Sequence, residues 1–265
     1  MHGYNFSKAR SFPWISVTGV SSLSDAEQLT MAVRKTKNSV PIVCGIGGSY
    51  KRLLDSSKRG EHSLSFNELN GIVKKVACDS KSRIVLHYLP KPDGDFYSGC
   101  MCYIEEIAKE TTLDYLQITK EWPDIKQLEC LHKNVPDIDI ILQVPLYKLQ
   151  DLTMDAIGIN ISRYIDIAPT IALDASGGQG TPHNCAVSKQ IIDILVSRQI
   201  KANYVLAGGV DWENVDKYIL ELYRHGHLCA IDAQSKLQTG FQLDGNKVYN
   251  YLQSGCNTYS SILSI

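Results

Sequence analysis

The chain has 265 residues, is 44% hydrophobic and carries 27 basic against 28 acidic side chains. That length and apolar content suffice for one large buried core, and the balanced charge provides no field to draw nucleic acid or an anionic membrane, leaving a small molecule as the expected partner. No run approaches the roughly eighteen apolar residues a membrane span requires. The eight cysteines are irregularly spaced, which suits reduced thiols in a cytoplasmic protein, and Cys100-Met-Cys102 fits neither a zinc knuckle nor a redox pair.

In chain order, eight β-type segments are expected at Trp14–Val17, Pro41–Gly45, Arg83–Tyr88, Asp114–Ile118, Asp139–Val144, Thr170–Leu173, Asn203–Ala207 and Leu228–Asp232. Helical patterns lie between them. Ser24-Asp-Ala-Glu27 and Ser65-Phe-Asn-Glu68 each read as a capping box ahead of an apolar stripe. Gly45-Ile46-Gly47-Gly48 reads as a loop that brings Lys51 and Arg52 toward substrate, because it lacks the ending of a dinucleotide fingerprint. Later helices are expected at Tyr103–Lys109, Ile125–His132, Ala186–Arg198, Val215–His225 and Gly245–Leu252, whereas Lys148–Met154 offers little more than one turn after the fifth strand. Eight such β-then-α units predict a closed parallel TIM (β/α)8 barrel spanning residues 1–265 as one domain.

In such a barrel the chemistry gathers where strands end. Ile171-Ala-Leu-Asp174 ends in an acid and runs into a loop containing Gly177, Gly178 and Gly180, where bare backbone allows a ligand to pack closely. Tyr204-Val-Leu-Ala ends in Gly208-Gly209 ahead of a helix, and Asp232 and Ser235 follow the eighth strand. Glycines after strand seven and small polar residues after strand eight suit a phosphate, which the backbone and a helix N-terminus can hold. Gln117 and His87 end strands four and three.

The opening Ile15-Ser-Val-Thr-Gly-Val-Ser-Ser-Leu-Ser-Asp-Ala26, Leu116-Gln117, Leu173-Asp174 with Gly177-Gly-Gln-Gly180, Leu206-Ala-Gly-Gly209 with Glu213-Asn-Val215, and Asp232-Ala-Gln-Ser235 with Lys247 resemble, in order, the phosphoribosylanthranilate isomerase family of tryptophan biosynthesis. The resemblance implies ring opening of an N-phosphoribosyl aryl amine and proton movement from C2, without cofactor or metal. It assigns the general acid to Asp174 and the phosphate grip to Gly208, Gly209 and the Ser235 region, while Gln117, Gly178, Gly180 and Asp232 are further candidates for binding substrate from their places at the strand ends. Thr18 stands where the family has its cysteine base, and Ser16 where it has lysine. An alkanol is a far weaker base than a thiol, so His87 and Cys44, ending the neighbouring strands, are the alternatives. Ile118-Thr119-Lys120 and Lys236-Leu237-Gln238 also depart from the family pattern. Two functions follow: an isomerase acting on this or another phosphorylated sugar, or a phosphosugar binder without turnover.

Overall fold

The computed structural model describes residues 12–37, 39–49, 64–80, 82–89, 101–110, 112–119, 122–145, 152–174 and 182–263. Eight strands form a closed parallel barrel in sequential order: β1 (Ile15–Val20), β2 (Ile42–Ser49), β3 (Arg83–Leu89), β4 (Tyr115–Ile118), β5 (Asp139–Pro145), β6 (Thr170–Asp174), β7 (Asn203–Ala207) and β8 (Ala230–Ala233). The helices are α1 (Leu23–Lys35), α2 (Phe66–Ser80), α3 (Met101–Glu110), α4 (Ile125–Asn134), α5 (Met154–Ser162), α6 (Cys185–Ser197), α7 (Val215–Arg224) and α8 (Gly245–Leu263). This is the TIM barrel expected from the periodicity. Among the described residues, no helix is long and apolar enough to cross a membrane.

Strand side chains alternate between two environments. Outward residues such as Ile15, Val17, Ile42, Ile46, Leu116 and Leu142 join the helices in the larger core. Inward residues build a second apolar layer, to which each strand or its approach contributes one member: Trp14, Val43, Val85, Tyr115, Ile141, Ala172, Val205 and Ala230. Trp14 and Tyr115 stack at a tilt, with centroids 5.9 Å apart. This layer floors the lumen.

Several element boundaries differ from the sequence expectation. The glycine-rich stretch Gly45–Gly48 is not a loop but the second half of β2, where Gly45 pairs with Thr18 and Gly47 with His87. A Cβ on Gly45 would lie 2.2 Å from the Thr18 hydroxyl, so this strand needs glycine for close approach. Lys51 and Arg52 lie outside the described residues. The first helix starts earlier than the Ser24 box implies: Ser22 is the cap, its hydroxyl accepting from Asp25 N–H at 3.1 Å, while Asp25 accepts from Ser21 N–H and Oγ–H. The second box holds, with Ser65 donating its N–H and hydroxyl to Glu68.

The fifth helix is longer and later than Lys148–Met154. Thr153 caps it, accepting from Ala156 N–H at 3.2 Å, and it runs to Ser162. Ile157, Ile159 and Ile161 alternate along it and imitate a strand, but burial of Ile157 and Ile161, four residues apart, fixes the helix. The last helix runs eleven residues past Leu252, to Leu263. Within it Tyr251 donates to the Ser16 carbonyl of β1 at 3.1 Å, and Tyr259 donates to the Cys229 carbonyl just before β8.

Candidate active site

Two positions beyond the floor, the same inward face of the strands turns polar: Ser16, Gly45, His87, Gln117, Gln143, Asp174, Ala207 and Asp232. Strand period two dictates this, since residues i and i+2 share a face. Thr18 lies one step higher on β1, over Gly45. These are the carboxyl ends of the strands, where barrels of this type keep their reactive groups.

Thr18 is only 4% exposed and links three strands. Its hydroxyl donates to Asp232 Oδ1 at 2.7 Å and lies 3.2 Å from His87 Nε2, with Ser16 Oγ at 3.5 Å. Burial pushes the Asp232 carboxyl up to about 6, hydrogen bonds from Thr18 and Ser16 pull it down, and the charge of Asp174 pushes it up. Burial pushes the His87 imidazole down to about 4, opposed by Asp174. The influence of Asp174 on both groups ties β6 to β3 and β8 across the same mouth.

Asp174 is 4% exposed and accepts a hydrogen bond from Gln143 Nε2 on the neighbouring strand. The backbone of Gln143 is anchored in turn, its carbonyl accepting from Trp122 Nε1 at 2.7 Å. A carboxyl held by a side-chain amide from an anchored neighbouring strand has a defined direction, which a proton donor needs. Gln117 is buried on β4 in register with His87. Gly178 and Gly180 lie outside the described residues, as do Gly177 and Lys120.

Gly208 and Gly209 end β7 with φ of 102° and 62°, in the left-handed region that glycine reaches without steric cost. The turn is braced by Asn214, whose amide donates to the Gly209 carbonyl at 3.0 Å and whose Oδ1 accepts from Asp211 N–H at 2.9 Å. After β8, Ser235 is exposed and opens a short 3-10 turn, Ser235–Leu237, followed by the hairpin of Gln238–Thr239 with Gln242–Leu243. Lys247 of α8 reaches back to this turn, donating to the Gln238 carbonyl at 2.8 Å.

Cys44 is not a member of the site. It shares the outward face of β2 with Ile42 and Ile46 and belongs to the core between barrel and helices, where burial pushes its thiol far up. Strand parity separates it from its inward neighbours Val43 and Gly45, so it is no substitute for the first-strand base. His87, by contrast, does face inward.

His183, which no spacing pattern singled out, is the residue missed. It follows the glycine-rich segment, is buried, and lies 2.8 Å by Nδ1 from the Ala207 carbonyl and 2.7 Å by Nε2 from Ser188 Oγ. The carbonyl only accepts, so Nδ1 carries the proton and Nε2 accepts from Ser188. Burial holds its pKa below the usual histidine range. His183 therefore ties the chain entering α6 to the end of β7, immediately before Gly208. Among the described residues, no group of three His, Cys, Asp or Glu side chains is arranged to hold a metal ion.

No family model matches the chain, and no curated protein matches it by sequence. Solved structures do match in fold. The phosphoribosyl anthranilate isomerase of Thermus thermophilus is 16% identical with a TM-score of 0.62, the alignment covering 94% of this chain and 100% of that one. The enzyme of the same name from Thermotoga maritima is 17% identical with a TM-score of 0.61, over 93% and 100%. A mutant tryptophan synthase α-subunit from Pyrococcus furiosus is 14% identical with a TM-score of 0.54, over 95% and 97%. At these identities the likeness establishes a shared (β/α)8 barrel.

Proposed function

We propose that the protein is an aldose–ketose isomerase of the phosphoribosylanthranilate isomerase type, acting on an N-phosphoribosyl aryl amine through Asp174. The observation that carries this reading is the position of Asp174: buried at the end of β6, aimed by Gln143, and electrostatically coupled to His87 and Asp232 across one mouth. Fold likeness to two enzymes of that name over nearly their whole length supports it. In the reaction, Asp174 delivers a proton to the sugar ring oxygen, the C1–O bond breaks, and an iminium forms between C1 and the aryl nitrogen. Loss of the C2 proton then moves electrons into C1–C2, and the resulting enol becomes the ketone. Gly208, Gly209 and Ser235 would hold the phosphate at the turns after β7 and β8, with Gln117 on the substrate side of β4.

The test is loss of substrate fluorescence when the protein meets phosphoribosylanthranilate generated in situ. Asp174→Asn is expected to lower kcat about 10³-fold, the usual scale for a general acid, while phosphosugar binding persists. Full activity in that variant would remove Asp174 from the reaction. A phosphosugar binder without turnover is the second reading, favoured by Thr18 at the position where the resembling family has cysteine. It predicts no fluorescence loss from the unaltered protein.

A further inference from the structure

We infer that Asp232 is the general base that removes the C2 proton, with Thr18 as the positioning residue that aims its carboxylate and His87 as the donor that fixes Thr18. The inference rests on the isomerase reading and supplies the base missing from it. Its foundation is a proton count around one hydroxyl. Thr18 Oγ1 has a single proton, and the carboxylate of Asp232, 2.7 Å away, can only accept it. The His87 nitrogen 3.2 Å from the same oxygen must then donate, so Nε2 carries the proton of a neutral ring. His87 thus presents an N–H, not a lone pair, toward Thr18.

The other candidates fail on chemistry or direction. Thr18 is an alkanol without useful basicity of its own. Cys44 faces the helices. His87 is driven so far toward the neutral form that it is a feeble base near neutral pH. Asp232 is 8% exposed, sits in the same polar ring as Asp174, and is held in place by hydrogen bonds from Thr18, Ser16 and the Ala233 N–H. A carboxyl titrating near 6 is ionised at neutral pH yet more basic than an ordinary aspartate. Among the described residues, the titratable groups that act on it or on its partner Thr18 are Asp174 of β6, which raises its pKa, Tyr251 of α8, which stays neutral, and His87 of β3, which meets Thr18.

The step balances. The C2–H bond breaks, the proton goes to Asp232, the bonding pair forms C1=C2, and the iminium π pair returns to nitrogen. When the enol becomes the ketone, Asp232 gives a proton to C1 and the enol hydroxyl proton returns, through water, to Asp174. Both carboxyl groups end as they began.

The experiment compares the unaltered protein with Asp232→Asn and Thr18→Val, reading kcat against pH and exchange of the C2 hydrogen in D2O. Asp232→Asn keeps the hydrogen bond from Thr18 but removes the base. It is expected to lower kcat and C2 exchange about 10²–10⁴-fold and to abolish the acidic limb near pH 6. Thr18→Val should keep measurable turnover but move that limb upward, because the lost hydrogen bond stabilised the charged carboxylate. Asp232→Asn turnover within a few fold of the unaltered protein, with the limb in place, would overturn the base assignment and leave the isomerase reading intact. An unmoved limb in Thr18→Val overturns it equally, and decides the matter if Asp232→Asn fails to fold. Absence of turnover in the unaltered protein removes the isomerase reading, and this inference with it.

Discussion

The two ends of the barrel lumen differ by two residues along each strand and by almost everything in chemistry. The floor is closed by Trp14, Tyr115 and six aliphatic side chains, while the ring above it carries Ser16, His87, Gln117, Gln143, Asp174 and Asp232 with Gly45 and Ala207 as gaps. The same parallel strands carry both, so the chemical contrast between the two ends lies in their side chains. The floor gains by excluding water from apolar surface. The ring holds a carboxylate whose ionisation is opposed by burial, which weakens the fold in return for basicity.

Substitutions can break this contrast from either side. Ile141→Ala, in the floor, should destabilise by about 2–5 kcal/mol, the usual effect of deleting a buried isoleucine, and should leave the pH profile of any activity in place. Urea denaturation and a pH–rate profile measure the two halves of that expectation. A pH profile displaced along with the stability would mean that the layers are not independent.

Asp232→Asn should act in the opposite sense on stability. The native carboxyl titrates at about 6 against 3.8 for an ordinary aspartate, so between those values the native state holds a proton that the unfolded chain has lost, and stability falls as pH rises through the window. The variant should therefore be more stable than the unaltered protein at pH 7–8, by up to about 3 kcal/mol, and nearly equal to it at pH 4. His87, depressed to about 4 from 6.5, works the other way and adds stability as pH rises to 6.5. The two trends offset one another in the unaltered protein, and removing Asp232 should expose the His87 rise in thermal melts between pH 4 and 7. A variant less stable at pH 8 would show that the Asp232 carboxylate is well paired rather than strained.

Gly45→Ala tests the gap. Its methyl would meet the Thr18 hydroxyl at 2.2 Å, so Thr18 must turn from Asp232 or the strands must part. Destabilisation of about 1–3 kcal/mol is expected from such overpacking. Activity should fall further than stability does, since the bond displaced is the one that aims the base; unchanged kcat in the folded variant would release Thr18 from that role.

Much of this arrangement is legible in the sequence, and the remainder has identifiable physical causes. Asp174 and the Gly208-Gly209 turn stand out because a strand ending in an acid, or in paired glycines, is a local signal. Cys44 misleads as a candidate base because strand parity has to be anchored on a neighbour of known direction: with Val43 and Gly45 facing inward, Cys44 points out. Gly45–Gly48 misleads because glycine in a strand looks like a loop until the hydroxyl it accommodates, carried on a different strand, is in view. The role of Asp232 and the bracing by His183 depend on contacts across the barrel that no spacing encodes. The long last helix escaped because its second half carries polar residues beside the buried Cys256 and Tyr259.

Tyr251 and Tyr259 of that helix each hold a carbonyl beside the line where the barrel closes, Tyr251 on β1 and Tyr259 just ahead of β8. Thr18 and Asp232 come from the same two strands and are separated by 214 positions along the chain. During synthesis, then, a ribosome has delivered the floor of seven strands before the residues on either side of the seam can meet, and the two tyrosines that bolt the seam arrive later still. A nascent chain halted at Asp244 would already contain Thr18, His87, Asp174 and Asp232 but lack both tyrosines that hold the seam from outside.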